Sequence, residues 1–122
     1  MTYDPENIFA KILRGEIPCN KVYEDDDNLA FHDINPQAPI HVLVIPKGAY
    51  VSMADFTANA TDAEIASFFR AVGAVARQLG VVEDGYRLLA NAGPNSNQDV
   101  PHLHIHIFAG VNLGPLLKQN YS

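Results

Sequence analysis

An alternation of histidine and aliphatic residues near the C-terminal end of the chain constrains the fold more than any other feature. The run reads HLHIHIF and covers residues 102–108. Because successive side chains of a β-strand point to opposite faces, a strand here presents histidines on one face and aliphatic residues on the other. The run HVLVIP at 41–46 repeats this pattern. If the aliphatic sides of both strands share one core, four histidines meet on the opposite face of the sheet. They are His41, His102, His104 and His106.

Size and composition indicate one soluble domain. With 122 residues, 48% of them hydrophobic, the chain can bury a single core. We expect one domain over 1–122, with its core at about 7–110 and a tail at 111–122. Cys19 is the only cysteine, which excludes an intramolecular disulfide and fits a reducing, cytoplasmic setting. The sequence has neither a membrane-spanning apolar run nor the zones of a signal peptide, so we expect no membrane association.

The charge balance excludes one class of partner. Eight Lys and Arg residues against fourteen Asp and Glu residues give a net charge of -6, with no basic stripe to hold a nucleic acid polymer. A single nucleotide is still compatible, because backbone N–H groups, imidazoles and amides can hold one phosphate. The acidic run EDDDN at 24–28 fits no calcium loop and suits a turn.

The order of periodic segments predicts an α+β domain. Strand patterns cover 21–24, 29–34, 41–46, 85–91 and 102–108, and short connections favour antiparallel neighbours. A short helix is predicted over 7–14 and a long one over 61–79, where Thr61 and Glu64 form a capping box and Gly80 follows as the stop. Residues 53–56 look irregular or weakly helical. We expect a five-stranded, mainly antiparallel sheet with the long helix on one face.

A cluster of four histidines can be a metal site, a catalytic site or a surface feature without chemistry, and the alternation beside a polar loop disfavours the last of these. Two imidazoles spaced His-x-His on a strand can hold zinc. A neutral imidazole can also act as a nucleophile or move protons near pH 7. The geometry of the strand leaves these alternatives open, although no cysteine pair or acidic ligand lies close in sequence to favour a metal.

The same residues resemble the histidine-triad (HIT) family of nucleotide-binding proteins, whose signature is His-φ-His-φ-His-φ-φ with φ apolar. The segments NIFAKILRGEIP, VYEDDDNLAFHDINPQAPIHVLVIPK and GYRLLANAG are similar to the Hint branch, the purine nucleoside phosphoramidases. The resemblance implies a HIT-like fold, a purine nucleotide as substrate or product, and no cofactor. Other activities of the family are the alternatives: dinucleoside polyphosphate hydrolysis, nucleotidyl transfer, or a non-catalytic nucleotide-binding adaptor role.

The resemblance also implies roles for the four histidines. His104 matches the nucleophile, which attacks the α-phosphorus and forms a nucleotidyl-histidine that water then cleaves. His106 and His41 match histidines that hydrogen-bond around the phosphate and relay protons. His102 matches the first triad position, which orders the strand. With these roles, the resemblance implies no metal at the site.

Nucleotide-binding positions follow from the same match. Asp33 matches the carboxylate that holds the ribose hydroxyls, a sound pairing with a vicinal diol. Six residues match the pocket around the purine: Ile8, Phe9, Ile17, His32, Ile34 and Leu43. Asn91 matches a polar residue lining the phosphate and sugar. The loop that cradles the phosphate contains Gly93, Gln98 and Asp99.

Three departures from the family pattern are informative. The loop reads NAGPNSNQDVPH without paired glycines, and Asn95 and Asn97 are the residues that best tolerate a left-handed backbone there. Asp99 stands where a Ser or Thr is common, and we expect it to favour substrates with basic amine leaving groups. Some bacterial relatives hold structural zinc with a Cys-x-x-Cys pair, whose positions here are Asn7 and Ala10, so we expect no structural zinc.

Finally, the resemblance implies a homodimer in which the long helix and the strand at 85–91 pair across a two-fold axis, joining two sheets into one larger sheet. The sequence itself supports this weakly. The strand has no proline to block edge pairing, a property that also suits an interior strand. The tail at 111–122 lacks the tryptophan that some Hint proteins bring to the neighbouring site.

Overall fold

A five-stranded antiparallel sheet forms the centre of the computed structural model, which describes residues 2–117. The strands are β1 Lys21–Glu24, β2 Asn28–His32, β3 Ile40–Pro46, β4 Tyr86–Leu89 and β5 Ile105–Ala109. Their order across the sheet is β1-β2-β3-β5-β4, and every neighbouring pair is antiparallel. The helices are α1 Ile8–Leu13, α2 Met53–Asn59 and α3 Asp62–Gln78, with a 3-10 turn at Pro94–Ser96. The predicted α+β class and antiparallel sheet are confirmed.

Local capping sets the helix bounds. Both halves of the predicted capping box are present at Thr61 and Glu64, and Gly80 follows α3 with φ +72°. Helix α2 is longer than the predicted irregular stretch, because Ser52 caps it and the buried Phe56 anchors it to the core. In the part of the chain that the structure describes, no helix has both the length and the apolar character to cross a membrane.

Helix α1 begins at an asparagine cap. The side-chain oxygen of Asn7 accepts the backbone N–H of Ala10 at 2.9 Å. These are the two positions that the resemblance matches to the Cys-x-x-Cys pair. Here they are joined by a hydrogen bond that orders the start of the helix.

The alternation in β3 and β5 divides the apolar residues between two clusters. On the face covered by α3, the buried side chains are Val42, Val44, Leu103, Ile105 and Ile107, with Phe68, Val72 and Val75 of the helix. On the other face, a second cluster contains Phe9, Leu29, Phe31, Leu43 and Ile45. Each fully buried side chain of this kind contributes about 1.5–3 kcal/mol. The sheet is therefore anchored on both faces.

Four strands differ in their bounds from the prediction, and β3 differs only in beginning at Ile40, one residue early. Strand β5 begins at Ile105 and not at His102, because the N–H of Leu103 donates to the carbonyl of Tyr50 at 2.7 Å instead of joining the ladder. Strand β2 ends at His32, since Asp33 accepts the N–H of Asn35 and starts a turn. Strand β4 covers only 86–89 of the predicted 85–91, following Gly85 at φ +101°.

The acidic run at 24–28 forms a tight turn between β1 and β2. One carboxylate oxygen of Asp25 accepts the backbone N–H groups of Asp27 at 2.9 Å and Asn28 at 2.8 Å. Side-chain acceptance of N–H groups two and three residues ahead is typical of turns that begin with Asp. The carboxylate of Asp25 therefore serves local structure.

Candidate active site

Strands β3 and β5 bring two of the histidines side by side. His41 lies opposite Phe108 in the register, and Leu43 lies opposite His106. The Nε2 atom of His41 is 2.9 Å from Nδ1 of His106. The ring of His104 lies on the other side of His106, with centroids 5.0 Å apart. The three imidazoles thus form one continuous cluster on the face opposite α3.

The backbone orients the side chain of His104. Its Nδ1 lies 2.7 Å from the carbonyl oxygen of His102. Because a carbonyl only accepts, Nδ1 carries the proton and donates it, which leaves the lone pair on Nε2. His104 is 6% exposed, and the ring of Phe9 stands edge-on to its imidazole, with centroids 5.0 Å apart. An unprotonated Nε2 is what a nucleophilic imidazole requires.

His102 is fully buried and ties its segment to the sheet. Its Nε2 lies 2.8 Å from the carbonyl oxygen of Pro46, so this nitrogen carries the proton. Its Nδ1 accepts the hydroxyl of Tyr3 at 2.6 Å. Sequence reasoning missed Tyr3, because 99 positions separate the two residues and no motif links them. Only the folded chain shows the contact.

The hydrogen bonds of His41 determine which nitrogen of His106 carries the proton. Nδ1 of His41 accepts the backbone N–H of Gln37 at 3.1 Å, so the proton of His41 is on Nε2. That N–H points toward Nδ1 of His106 at 2.9 Å and a carboxylate oxygen of Asp33 at 3.4 Å. In its neutral form, His106 therefore carries its proton on Nε2. The cluster offers a lone pair at His104 and an N–H at His106.

Burial keeps the cluster uncharged near pH 7. Desolvation lowers the pKa of His102 to about 4 and that of His106 to about 4, and the neighbouring histidines add to the effect at His106. Desolvation is also the first cause of the lowered pKa of His104 and of His41. The carboxylates of Asp33 and Asp99 oppose the shift in the pKa of both His104 and His106. Both acids therefore act electrostatically on the cluster.

Among the described residues, one group has the composition of a metal site. Ligand atoms of Asp33, His41 and His106 all lie within 4.8 Å of one another. A neutral imidazole binds a metal through one nitrogen while the other carries the proton. The N–H of Gln37 faces Nδ1 of His41 and so places the proton on Nε2, the nitrogen that would have to face the metal. As oriented, this donor set does not fit a metal ion.

The six residues predicted for the purine pocket lie in different surroundings in the structure. Phe9 and Leu43 lie in the apolar cluster on the histidine side of the sheet, and Ile17 lines a cavity of about 510 Å³ next to α1. Ile8 and Ile34 are exposed, Ile34 by 95%. His32 is also exposed and alternates with Phe31, which places it on the other face of β2. All six residues remain predictions for the pocket.

The loop before β5 is braced from within by Gln98. Its side-chain oxygen accepts the N–H of Gly93 at 3.0 Å, and its Nε2 donates to the carbonyls of Val51 at 2.7 Å and Val100 at 3.1 Å. Asn97 has a left-handed backbone with φ +58°, as its residue type allows. Gln98 thus shapes the loop rather than pointing a free amide at a ligand. Asn91 is half-buried after β4, and Asp99 is exposed.

Comparison with known proteins gives a consistent result. Residues 14–113 match the model of the HIT domain. The chain is 69% identical over 118 residues to an uncharacterised 13.2 kDa HIT-like protein of Azospirillum brasilense, covering 97% of each chain. It is 43% identical over 112 residues to the purine nucleoside phosphoramidase of Escherichia coli K12, covering 92% of this chain and 93% of that one. A solved HIT family hydrolase from Clostridium thermocellum is 40% identical, with a TM-score of 0.83 over 92% of this chain and 97% of its own. The chain therefore belongs to the HIT domain family.

Proposed function

We propose that this protein is a nucleotide-binding hydrolase that cleaves the P–N bond of purine nucleoside 5′-phosphoramidates, through a nucleotidyl intermediate on His104. The observation that carries the proposal is the hydrogen bond from Nδ1 of His104 to the carbonyl of His102, which leaves Nε2 free to attack. The substrate class is supported by 43% identity to a protein named purine nucleoside phosphoramidase.

In the first step, Nε2 of His104 attacks the α-phosphorus. A new N–P bond forms as the bond from phosphorus to the leaving nitrogen breaks, and that nitrogen takes up a proton. The anionic phosphate raises the pKa of the imidazoles beside it, so the cluster takes up one proton from solvent when substrate binds, and His106 passes its Nε2 proton to the leaving nitrogen. The positive charge that develops on His104 is stabilised by the carbonyl of His102.

In the second step, water attacks the same phosphorus. The hydroxyl group stays on phosphorus, the N–P bond breaks, and the proton of the water returns to His106. His104 regains its neutral form with a free Nε2. One water is consumed for each P–N bond, and the products are the free amine and the nucleoside monophosphate.

Recognition of the nucleoside falls to Asp33 and to the apolar residues beside the cluster. One oxygen of Asp33 is held by the N–H of Asn35 at 2.8 Å, which fixes the plane of the carboxylate. The half-buried group keeps acceptor capacity for two ribose hydroxyls. Phe9 and Leu43 offer apolar surface for a purine on the same side of the sheet.

The decisive experiment compares wild type and His104→Ala on adenosine 5′-phosphoramidate and on a dinucleoside polyphosphate. We expect the wild type to prefer the phosphoramidate and to form a covalent AMP adduct that mass spectrometry detects after rapid acid quench. We expect the variant to lose at least about 10³-fold in kcat and to form no adduct. Undiminished turnover in the variant would remove the mechanism. Preference for the polyphosphate would favour a dinucleoside polyphosphate hydrolase. Binding of either compound without turnover would favour the non-catalytic adaptor role.

We also propose that the protein is a homodimer joined through β4. This strand lies at the edge of the sheet, where Tyr86, Leu88 and Leu89 are exposed. Phe69 of α3, 45% exposed, and Val82 add apolar surface. An open strand edge and uncovered apolar side chains support pairing with a second copy. Light scattering should give twice the mass of the chain, and Leu88→Lys should give the monomer mass.

A further inference from the structure

The nucleophile belongs to a segment that the sheet does not hold directly. Pairing between β3 and β5 begins at Val44 opposite Ile105, so the backbone of residues 101–104 lies outside the ladder. Among the described residues, one backbone hydrogen bond outside the strand ladder holds this segment: the N–H of Leu103 donates to the carbonyl of Tyr50 at 2.7 Å. The carbonyl of His102, which orients His104, is therefore positioned largely by what holds the side chain of His102.

The ring of His102 is held at both nitrogens. On one side it donates to the carbonyl of Pro46 at 2.8 Å, and on the other it accepts the hydroxyl of Tyr3 at 2.6 Å. The two rings also meet edge-on, with centroids 5.6 Å apart and an interplanar angle of 68°. A fully buried imidazole with both nitrogens engaged has a single orientation.

Tyr3 is itself placed by the turn that leads into α1. Nδ2 of Asn7 donates to the carbonyl of Asp4 at 2.7 Å, and the backbone N–H of Asn7 donates to the same oxygen at 3.2 Å. Asn7 is buried and also caps the helix. The segment before α1 is thus tied to the helix that carries Phe9, which packs against both His102 and His104.

From these contacts we propose that Tyr3 is a positioning residue for the nucleophile, acting on His104 through the ring and backbone carbonyl of His102. The inference rests on the proposed function of His104. Without the hydroxyl, Nδ1 of His102 is buried with no donor and the ring is held at one nitrogen only. The carbonyl of His102 then loses its fixed position, and the bond that keeps the proton of His104 on Nδ1 weakens. The tautomer with its proton on Nε2, which cannot attack, gains population.

Tyr3→Phe tests this, because it removes the hydroxyl and keeps the ring. We expect kcat on adenosine 5′-phosphoramidate to fall about tenfold with KM unchanged, since the misplacement affects the attacking atom and not the nucleoside contacts. In long-range ¹H–¹⁵N spectra of the free protein, His104 should show one tautomer in the wild type and a mixture in the variant. Tyr23→Phe is the matched control. It removes another half-buried tyrosine hydroxyl bond, to Asp25 at 2.9 Å, and should keep wild-type values in both measurements.

The outcomes separate the two proposals. If Tyr3→Phe lowers the melting temperature but keeps the wild-type kcat and the His104 tautomer, Tyr3 only anchors the N-terminal segment and the inference is wrong. If the wild type does not turn over the phosphoramidate, the proposed function fails. The tautomer comparison still decides the role of Tyr3 in that case, because it needs no substrate.

Discussion

The buried ring of His102 predicts a specific loss of stability in mild acid. Burial lowers its pKa to about 4 from an ordinary value of 6.5. When the folded pKa of a histidine is depressed, the unfolded chain binds the proton first, so the free energy of unfolding is undiminished above pH 6.5 and falls as the pH drops toward 4. For this one group, the linkage relation gives a loss of about 2 kcal/mol at pH 5 and about 3 kcal/mol at pH 4.

Urea unfolding of the wild type and of His102→Gln measures this loss. Glutamine does not titrate, and its amide can still donate to the carbonyl of Pro46. At pH 7.5 the variant should be the less stable protein, because it loses the packing of a fully buried ring. Between pH 7.5 and pH 5 the difference in unfolding free energy should shrink by about 2 kcal/mol. Protein concentration must be held constant, since dimerisation would couple to unfolding.

The test compares how steeply the unfolding free energy falls with pH in wild type and in His102→Gln. All other titrating groups are present in both proteins, so only the difference between the two pH curves reports on His102. His32→Gln removes an exposed histidine instead and should follow the wild-type curve. If wild type and His102→Gln lose stability in parallel from pH 7.5 to pH 5, the reasoning about His102 is refuted.

Three further predictions concern the reaction. Because burial lowers the pKa of His104 below its ordinary value of 6.5, the acid limb of kcat/KM should lie below pH 6.5, and an acid limb centred at or above pH 6.5 would contradict this. EDTA should leave turnover unchanged, whereas a loss of activity restored by zinc would show that a metal takes part. Asp99→Ser should reduce the preference for a lysine phosphoramidate over a dinucleoside polyphosphate, because the carboxylate near His104 and His106 can help to protonate a departing amine. Equal ratios of kcat/KM in variant and wild type would contradict that role.

Much of the fold could be predicted because its signals are local. The capping box joins Thr61 to Glu64, only three residues away, and the alternation in β3 involves neighbouring residues. Each pattern can therefore be recognised in a short stretch of sequence. Strand ends were predicted less well. The start of β5 depends on whether Leu103 bonds to β3 or to Tyr50, a choice between partners that are distant in sequence.

For the candidate site, the alternation of residues was sufficient to place His41, His104 and His106 on one face, away from α3. The alternation does not, however, distinguish the protonation states or the chemical roles of these histidines. The tertiary structure distinguishes them, because each tautomer depends on a partner from another segment: the carbonyl of His102 for His104, and the N–H of Gln37 for His41. Side-chain direction follows from strand geometry, but proton position follows from the hydrogen-bond partners.

By itself, the sequence determined the class of fold, the order of its elements and the family to which the chain belongs. Only the tertiary structure decided which nitrogen of His104 is free, how far burial lowers the pKa values of the cluster, and that Tyr3 reaches His102. The physical reason is the distance along the chain over which each interaction acts. Periodicity and capping act over a few residues, whereas desolvation and hydrogen bonding between distant segments exist only once the chain has folded.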